Sequence, residues 1–181
     1  KVNVEKTIEF IERSTQYGAK VIFMSSDAVY GDIDKPFDEQ WATNPIGAYG
    51  MMKAEVEKYF IGHHNVKILR SSYNFFREDR FTSYLERCAL SGETAEVFSP
   101  FKRSVIHLDD TVDAILSLSR NWEGPQIINC GGPETLCRAE FAQILKEEVF
   151  PELEIKIVRP PEKFYKDRPC EVSMMSIPLK N

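Results

Sequence analysis

Residues 21–31 read Val-Ile-Phe-Met-Ser-Ser-Asp-Ala-Val-Tyr-Gly, a short apolar run that leads into a polar turn. Four consecutive apolar residues are typical of a parallel strand that is buried on both faces. A helical pattern of apolar residues precedes the run and breaks near Gly18. The stretch therefore predicts a helix followed by a buried strand that ends in Ser25 and Ser26.

The rest of the chain continues this alternation of helix and strand. Periodicity predicts further strands at residues 66–69, 95–98, 105–108, 126–129 and 153–158, and helices around residues 49–60, 80–90, 110–119 and 137–149. A polar loop that contains prolines, from Asp32 to Pro45, connects the first strand to the helix that follows it. The order of elements is that of an α/β protein.

The helix after this loop carries Tyr49-Gly-Met-Met-Lys53. Positions i and i+4 share one face of a helix, so the phenol and the ammonium can point into the same cleft. A Tyr and a Lys at this spacing also occur by chance on solvated helices, but here a strand ending in serines precedes them. A neighbouring cation favours the phenolate form of a tyrosine. Tyr49 and Lys53 are therefore a candidate acid/base pair, and the hydroxyl of Ser26 would share the same substrate oxygen.

Composition limits the classes of function. The chain has 181 residues, 43% of them hydrophobic and 28% charged, which suffices for one globular domain. A net charge of -5 provides no basic footprint for nucleic acid, and the longest apolar stretches are too short to span a membrane. The four cysteines form no C-x-x-C pair and have no histidines at metal-ligand spacing, so we expect no metal site. Reduced thiols of this kind point to the cytoplasm.

Several segments together resemble a known family. In order they are Ser25-Ser-Asp-Ala-Val-Tyr-Gly31, Asn44-Pro-Ile-Gly-Ala-Tyr-Gly50 with Lys53 and Glu57, Leu69-Arg-Ser-Ser-Tyr-Asn74, Arg103-Ser-Val-Ile-His-Leu-Asp-Asp110, Ile128-Asn-Cys-Gly-Gly132 and Arg168-Pro169. In order and spacing they resemble the extended short-chain dehydrogenase/reductase family, whose members are NAD-dependent epimerases, dehydratases and reductases of sugar nucleotides. Within it, the chain is similar to dTDP-4-dehydrorhamnose reductases. The resemblance covers nearly the whole chain.

The resemblance implies a Rossmann-like, doubly wound parallel sheet with a smaller C-terminal substrate-binding lobe. No glycine-rich G-x-G-x-x-G turn occurs in the sequence, so we expect the sheet to be N-terminally incomplete, with a start inside the usual domain near residues 1–7. Residues 1–74 would form the C-terminal part of the dinucleotide-binding domain. Residues 75–181 would form mainly the substrate-binding lobe, with elements that return to the sheet. Gly131 and Gly132 are expected in a loop between a strand and a helix.

The resemblance also implies a cofactor and a catalytic centre. The cofactor would be NAD or NADP, and the sequence leaves both open. Tyr49 would exchange the hydroxyl proton of the substrate, Ser26 would hydrogen-bond the same oxygen, and Lys53 would hold the nicotinamide ribose. Ser25 and Ser72 are further expected contacts of the cofactor.

Asp27 and Ala28 bear on the type of reaction. The 4,6-dehydratases of the family carry an Asp-Glu pair here, and the methyl group of Ala28 cannot abstract a proton. The resemblance therefore favours oxidoreduction or epimerisation through a 4-keto sugar over dehydration, with reductase and epimerase both open. Asp27 is a candidate acid, and a purely structural role in the turn is equally compatible with the sequence.

The substrate implied by the resemblance is a nucleotide-activated sugar. Arg103 is the candidate for its pyrophosphate, since a guanidinium offers a fixed fork of donors to phosphate oxygens. Arg168 resembles a late arginine that closes over the nucleotide phosphates. Asn74 would contact the phosphate or order the nearby loop. His107 is expected to pack at the end of a strand, and Asp109 to cap the next helix.

Two further expectations concern association and activity. Members of this family pair two helices with their copies, so we expect a homodimer through residues 4–17 and 49–62, with Met52, Val56 and Phe60 either at that surface or in the core. An alternative to the enzyme is a non-catalytic regulatory or binding protein that retains the reductase-like fold.

Overall fold

The computed structural model describes residues 2–32 and 35–176. Positions 33 and 34 of the predicted loop, residue 1 and residues 177–181 of the expected substrate-binding lobe lie outside these described residues. The helices are α1 Val2–Gln16, α2 Ala48–Phe60, α3 Arg80–Ser91, α4 Leu108–Arg120, α5 Arg138–Glu148 and α6 Glu162–Lys166. The strands are β1 Val21–Ser26, β2 Val66–Ser71, β3 Tyr73–Phe75, β4 Ala95–Phe98, β5 Lys102–His107, β6 Ile127–Cys130, β7 Thr135–Leu136, β8 Ile155–Val158 and β9 Glu171–Val172.

A three-stranded parallel sheet in the order β1-β2-β6 forms the first half of the fold. Ser26 is in register with Ser71, and Ser71 with Cys130, so the carboxyl ends of all three strands meet at one edge. Every residue of β2 is buried, as expected of the central strand of a parallel sheet. The predicted α/β class is confirmed.

Helices α1 and α2 cover one face of this sheet. Val4 and Ile11 of α1 pack with Val56 and Phe60 of α2 against the sheet. Of the two positions left open for Met52, Val56 and Phe60, the structure shows the core: Val56 and Phe60 are buried and Met52 packs against them. The neighbouring Tyr59 is 55% exposed.

The remaining strands form two further sheets. Strand β5 pairs with β3, β7 and β9, and β4 pairs in parallel with β8. Helices α3 and α5 pack on these strands around buried Leu85, Val97 and Leu153. The glycine pair lies as predicted in the loop after β6. A Cβ on Gly132 would lie 1.9 Å from the carbonyl oxygen of Val105, so only glycine fits there.

Helix α4 begins differently from the prediction. The capping residue is His107, whose Nδ1 accepts a hydrogen bond of 3.2 Å from the backbone N–H of Asp109. Asp109 lies in the first turn of the helix, where its negative charge interacts favourably with the positive end of the helix dipole. The expectation that Asp109 is the cap was wrong by two residues.

The remaining observations concern membranes and thiols. No helix within residues 2–32 and 35–176 is long and apolar enough to cross a membrane. All four cysteines are free thiols; Cys88, Cys130 and Cys137 are buried and Cys170 is half-buried.

Candidate active site

Ser26 lies where β1 ends and a 3-10 turn, Asp27–Val29, begins. Its backbone is extended, and its side-chain oxygen accepts a hydrogen bond of 3.2 Å from the N–H of Ala28. The same hydroxyl donates to Oδ1 of Asp27 over 3.0 Å. Ser26 therefore has a fixed position at the carboxyl edge of the sheet, where parallel α/β sheets bind their ligands.

The amino-terminal turn of α2 packs directly on this 3-10 turn. A Cβ on Gly50 would lie 2.1 Å from the carbonyl oxygen of Ala28, a distance that no side chain can occupy. The glycine lets the two backbones meet, and it is the neighbour of Tyr49 in sequence. The close approach thus brings the start of α2 beside the Ser26 turn.

Lys53 is the second α2 residue at this edge. Its ammonium donates a hydrogen bond of 2.6 Å to the carbonyl oxygen of Met24 and lies 5.8 Å from the centre of the Tyr49 ring. Burial lowers the pKa of Lys53, and the nearby Glu57 partly offsets that effect. The side chain of Tyr49 is 54% exposed. The structure therefore places three of the four predicted catalytic residues, Ser26, Tyr49 and Lys53, around the carboxyl end of β1, and Asp27 directly follows Ser26.

Ser25 faces the opposite way. It is buried, and its hydroxyl donates to Oε1 of Glu57 in a short hydrogen bond. Glu57 is itself paired with Arg70, whose Nη2 lies 2.6 Å from Oε2. A cofactor contact of Ser25 would therefore have to use its backbone, and its role stays a prediction.

A cleft opens next to the Ser26 turn. Its cavity has a volume of about 210 Å³ and is lined by Asp27, Ser72, Tyr73, Phe98, Phe101, Arg103, Val105, Leu136, Cys137, Arg138, Phe141, Phe164 and Arg168. An adjoining cavity of about 960 Å³ shares Tyr73, Phe98, Arg138, Phe164 and Arg168 with it. The first cavity has aromatic walls and three guanidinium groups, and we call it the arginine cleft; the adjoining cavity adds Arg80 and Arg87 together with Glu78, Asp79 and Glu96.

Asp27 lies between the Ser26 turn and the arginine cleft. Its side chain is buried; Oδ2 accepts a hydrogen bond of 2.8 Å from the hydroxyl of Ser72 and lies 3.5 Å from Nε of Arg103. Burial raises the pKa of Asp27, while Arg103 and the two serine hydroxyls act in the opposite direction. Asp27 thus contacts a predicted catalytic residue and a predicted substrate-binding residue at once.

Arg103 is held by backbone carbonyls as well as by Asp27. One terminal nitrogen donates to Lys102 over 2.5 Å and the other to Pro169 over 2.9 Å. A guanidinium has two N–H bonds on each terminal nitrogen, so each keeps a donor for a ligand. These contacts give Arg103 a fixed orientation at the wall of the arginine cleft.

Arg138 and Arg168 complete the cationic wall. The guanidinium of Arg168 stacks 4.2 Å above the ring of Phe164. Partial burial lowers the pKa of Arg138, Tyr73 partly offsets this, and Arg168 lowers it further because the two cations repel. Such an arrangement is stabilised by a bound anion. Arg138 was not among the predicted site residues, because no motif marks the first residue of α5.

Asn74 does not line the arginine cleft. Its amide nitrogen donates to the hydroxyl of Ser71 over 2.8 Å, and its oxygen accepts from the hydroxyl of Thr111. These contacts tie β3 to the start of α4. A substrate contact of Asn74 stays a prediction, and its observed partners fit the alternative role in ordering the loop.

Comparison with known proteins identifies the family of this chain. A sequence model of the NAD dependent epimerase/dehydratase family matches residues 1–131. A UDP-glucuronic acid decarboxylase 3 from Arabidopsis thaliana is 30% identical over 177 residues, which cover 87% of this chain and 51% of that protein. The chain thus spans about half the length of the curated relatives it matches.

Solved structures agree in fold. A hypothetical dTDP-4-dehydrorhamnose reductase from Sulfolobus tokodaii superimposes with a TM-score of 0.83 at 26% identity, over 97% of this chain and 63% of that one. A dTDP-glucose 4,6-dehydratase from Streptomyces venezuelae, solved with NAD bound, gives a TM-score of 0.79 at 21% identity, over 98% of this chain and 58% of that one. The predicted Rossmann-like architecture is confirmed by these similarities.

Proposed function

The chain belongs to the NAD dependent epimerase/dehydratase family, and from that premise we propose that it carries the catalytic centre of an NAD(P)-dependent enzyme acting on a nucleotide-activated sugar. The observation that carries the proposal is the position of the arginine cleft. It adjoins the turn that holds Ser26, at the edge of the sheet where Lys53 also lies. A proton-transfer group and an anion-binding wall therefore share one site.

The residues at this edge fit a nicotinamide nucleotide. The ammonium of Lys53 uses one N–H on Met24, which leaves further donors for the ribose hydroxyls beside it. Ser72 is a second candidate contact, with its hydroxyl oxygen at the floor of the cleft. When bound, the nicotinamide would supply the hydride acceptor or donor that amino-acid side chains lack. NAD and NADP remain equal candidates.

Tyr49 and Ser26 would act on the oxygen of the reacting sugar carbon. Hydrogen bonds to Ala28 and Asp27 hold the Ser26 side chain in one rotamer, so its hydroxyl is already oriented to position that oxygen. Tyr49 would exchange the proton, because its exposed ring stands at the start of α2 beside the same turn. These proposed roles of Tyr49 and Ser26 are the ones expected from the sequence.

The arginine cleft would hold the nucleotide. Arg103, Arg138 and Arg168 offer a planar fork of donors each, which suits the oxygens of a diphosphate. The aromatic side chains between them can stack on the base. This concentration of guanidinium groups is in contrast to the net charge of -5 of the whole chain.

For the reaction we propose oxidoreduction or epimerisation through a 4-keto sugar. Ala28 lies in the 3-10 turn, where its methyl group offers no acid or base for the elimination of water. Asp27 alone has an ionisable side chain in this turn. 4,6-Dehydration is therefore the less favoured reaction.

A homodimer through α1 and α2 is part of the proposal. The side chains of Phe10, Met51 and Tyr59 on these helices are 69%, 53% and 55% exposed. Apolar surface of this kind is what a symmetric helical interface buries. Val56 and Phe60 pack in the core of this chain, so they would hold α2 in place without contacting the second copy.

A cytoplasmic location also stays a proposal. The four cysteines are all free. Free thiols are the usual state of cytosolic cysteines.

The experiment that tests the proposed function uses the full-length protein. UDP-glucose, UDP-glucuronic acid and dTDP-glucose are incubated with the protein and NAD or NADP, and epimers, which have equal mass, are resolved by chromatography and NMR. The 4-keto sugar dTDP-4-keto-6-deoxyglucose is incubated with NADH or NADPH, and its reduction is followed by the loss of absorbance at 340 nm. We expect one of these sugars to be converted. Failure of every combination, together with absent binding of UDP and dTDP, would favour the non-catalytic alternative.

A further inference from the structure

Asp27 connects two hydroxyl groups at the floor of the site. Ser26 donates to Oδ1 over 3.0 Å, and Ser72 donates to Oδ2 over 2.8 Å. A serine hydroxyl has a single proton, and an ionised carboxylate has none to give. The direction of both hydrogen bonds is therefore fixed by the charge of Asp27.

This direction determines what the serines can offer a ligand. With its proton on Asp27, the oxygen of Ser26 can only accept, and one of its lone pairs already accepts from the N–H of Ala28. The remaining lone pair suits a ligand that donates, such as the hydroxyl of a bound sugar before its proton is transferred to Tyr49. A ketone oxygen needs a donor, so it would meet a lone pair instead.

Burial raises the pKa of Asp27, and its polar neighbours offset part of that effect in favour of the ionised form. Nε of Arg103 lies 3.5 Å from Oδ2, and the backbone of Ala28 and both serines point donors toward the turn. Burial of the carboxyl acts against ionisation. Each carboxylate oxygen accepts from one serine hydroxyl, and Oδ2 also faces the guanidinium of Arg103, so the buried charge is paired and hydrogen-bonded.

We propose that Asp27 is a positioning residue that fixes the hydroxyl of Ser26 as an acceptor, so that the site binds a sugar with a hydroxyl at the reacting carbon in preference to the corresponding ketone. The proposal rests on the proposed function and narrows it. It assigns to the resting site an alcohol substrate, as an epimerase needs, over the ketone substrate of a reductase.

The test measures binding in complexes that cannot react. The full-length protein is titrated calorimetrically with dTDP-6-deoxyglucose in the presence of NADH, and with dTDP-4-keto-6-deoxyglucose in the presence of NAD. The two sugars differ only at C4, and neither pairing allows hydride transfer. The same pair is run with UDP as the nucleotide, and NADPH and NADP replace the cofactors in a parallel series.

The expected result is a preference of about tenfold for the alcohol, the effect of one hydrogen bond of correct polarity. Asp27→Asn should reduce that preference at least fivefold, because the amide can donate to Ser26 and release its proton toward the ligand. Asp38→Asn is the matched control, since Asp38 lies outside the cleft and accepts from the backbone of Gln40. It should leave the ratio unchanged.

Ser26→Ala provides a second variant should Asp27→Asn fold poorly. It removes the acceptor and keeps the buried charge, and it should also abolish the preference. Equal or tighter binding of the ketone by the unaltered protein would overturn the proposal, as would an unchanged ratio in both variants. Absence of any binding would contradict the proposed function itself, and the proposal with it.

Discussion

The backbone of Gly50 meets the carbonyl oxygen of Ala28 so closely that a Cβ on residue 50 would stand 2.1 Å from that oxygen. This approach sets the distance between the Ser26 turn and the helix that carries Tyr49. The geometry of the candidate catalytic centre therefore depends on a glycine that has no chemistry of its own.

Substitution Gly50→Ala should move the helix that carries Tyr49 away from the turn that holds Ser26. The methyl group must displace the helix or the turn, which we expect to lower turnover about 10- to 100-fold and to destabilise the fold by about 1–3 kcal/mol. Turnover and urea unfolding measure the two effects. Gly124→Ala is the control, because the nearest atom to its added Cβ would be the flexible ammonium of Lys67 at 3.9 Å. Equal behaviour of the two variants would contradict the packing argument.

Lys53→Met should weaken binding of the nicotinamide nucleotide at least tenfold. The variant keeps the length of the side chain but removes the ammonium that bonds to Met24 and would reach the ribose. Fluorescence titration with NADH and NADPH measures the loss. Lys58→Met removes an exposed lysine from the last turn of the same helix and should bind as the unaltered protein does. A Lys53→Met protein with normal affinity would show that Lys53 does not contact the cofactor.

Arg138→Ala should weaken binding of UDP and dTDP by 10- to 100-fold. The guanidinium lies in the arginine cleft near Arg168, and the two cations repel each other more than Asp79 compensates, so a bound diphosphate would gain from both. The salt dependence of binding should also decrease, since fewer charges contact the ligand. Calorimetry at two salt concentrations tests both effects, with Arg120→Ala, at the end of α4, as the control. A loss no larger than that of the control would remove Arg138 from the site.

Asp27→Asn should change how stability depends on pH. Burial raises the pKa of Asp27 in the folded state above the usual value of 3.8. Between pH 3.8 and that raised pKa, the folded state therefore holds a proton that the unfolded state has lost. Stability of the unaltered protein must then fall as pH rises through this interval. The asparagine has no proton to lose, so the stability of the variant relative to the unaltered protein should increase from pH 4 upward.

Urea unfolding at a series of pH values measures this difference. Asp38→Asn corrects for removal of an acidic side chain elsewhere in the fold. If the difference between Asp27→Asn and the unaltered protein decreased with rising pH, the carboxyl of Asp27 would be stabilised as an anion by its neighbours more than burial penalises it.

The regular elements could be predicted where the periodic pattern is long enough. Strand β4 has the predicted bounds, and α3 differs from the prediction by one residue. Strands β7 and β9 have two residues each and form only because β5 offers them an edge, so no local pattern could reveal them.

Chemistry and spacing single out Ser26, Tyr49 and Lys53 in the sequence, and the structure brings them to one edge of the sheet, while their catalytic roles stay predictions. Arg138 could not be predicted as a site residue because its position in the cleft depends on where α5 docks. Ser25 was expected at the cofactor, but its side chain alternates to the other face of β1, where Glu57 takes its hydroxyl. Sequence spacing fixes neither the docking of a helix nor the partner of a buried hydroxyl.

The most direct test compares two tyrosines on one helix. Tyr49 and Tyr59 are 54% and 55% exposed, and each can lose its hydroxyl with little effect on the core. Turnover of the full-length protein is measured with the sugar nucleotide that it converts, for Tyr49→Phe and Tyr59→Phe in parallel. We predict that Tyr49→Phe lowers turnover at least 100-fold with cofactor affinity retained, and that Tyr59→Phe remains within twofold of the unaltered protein. Unaltered turnover in Tyr49→Phe would contradict the assignment of the catalytic centre.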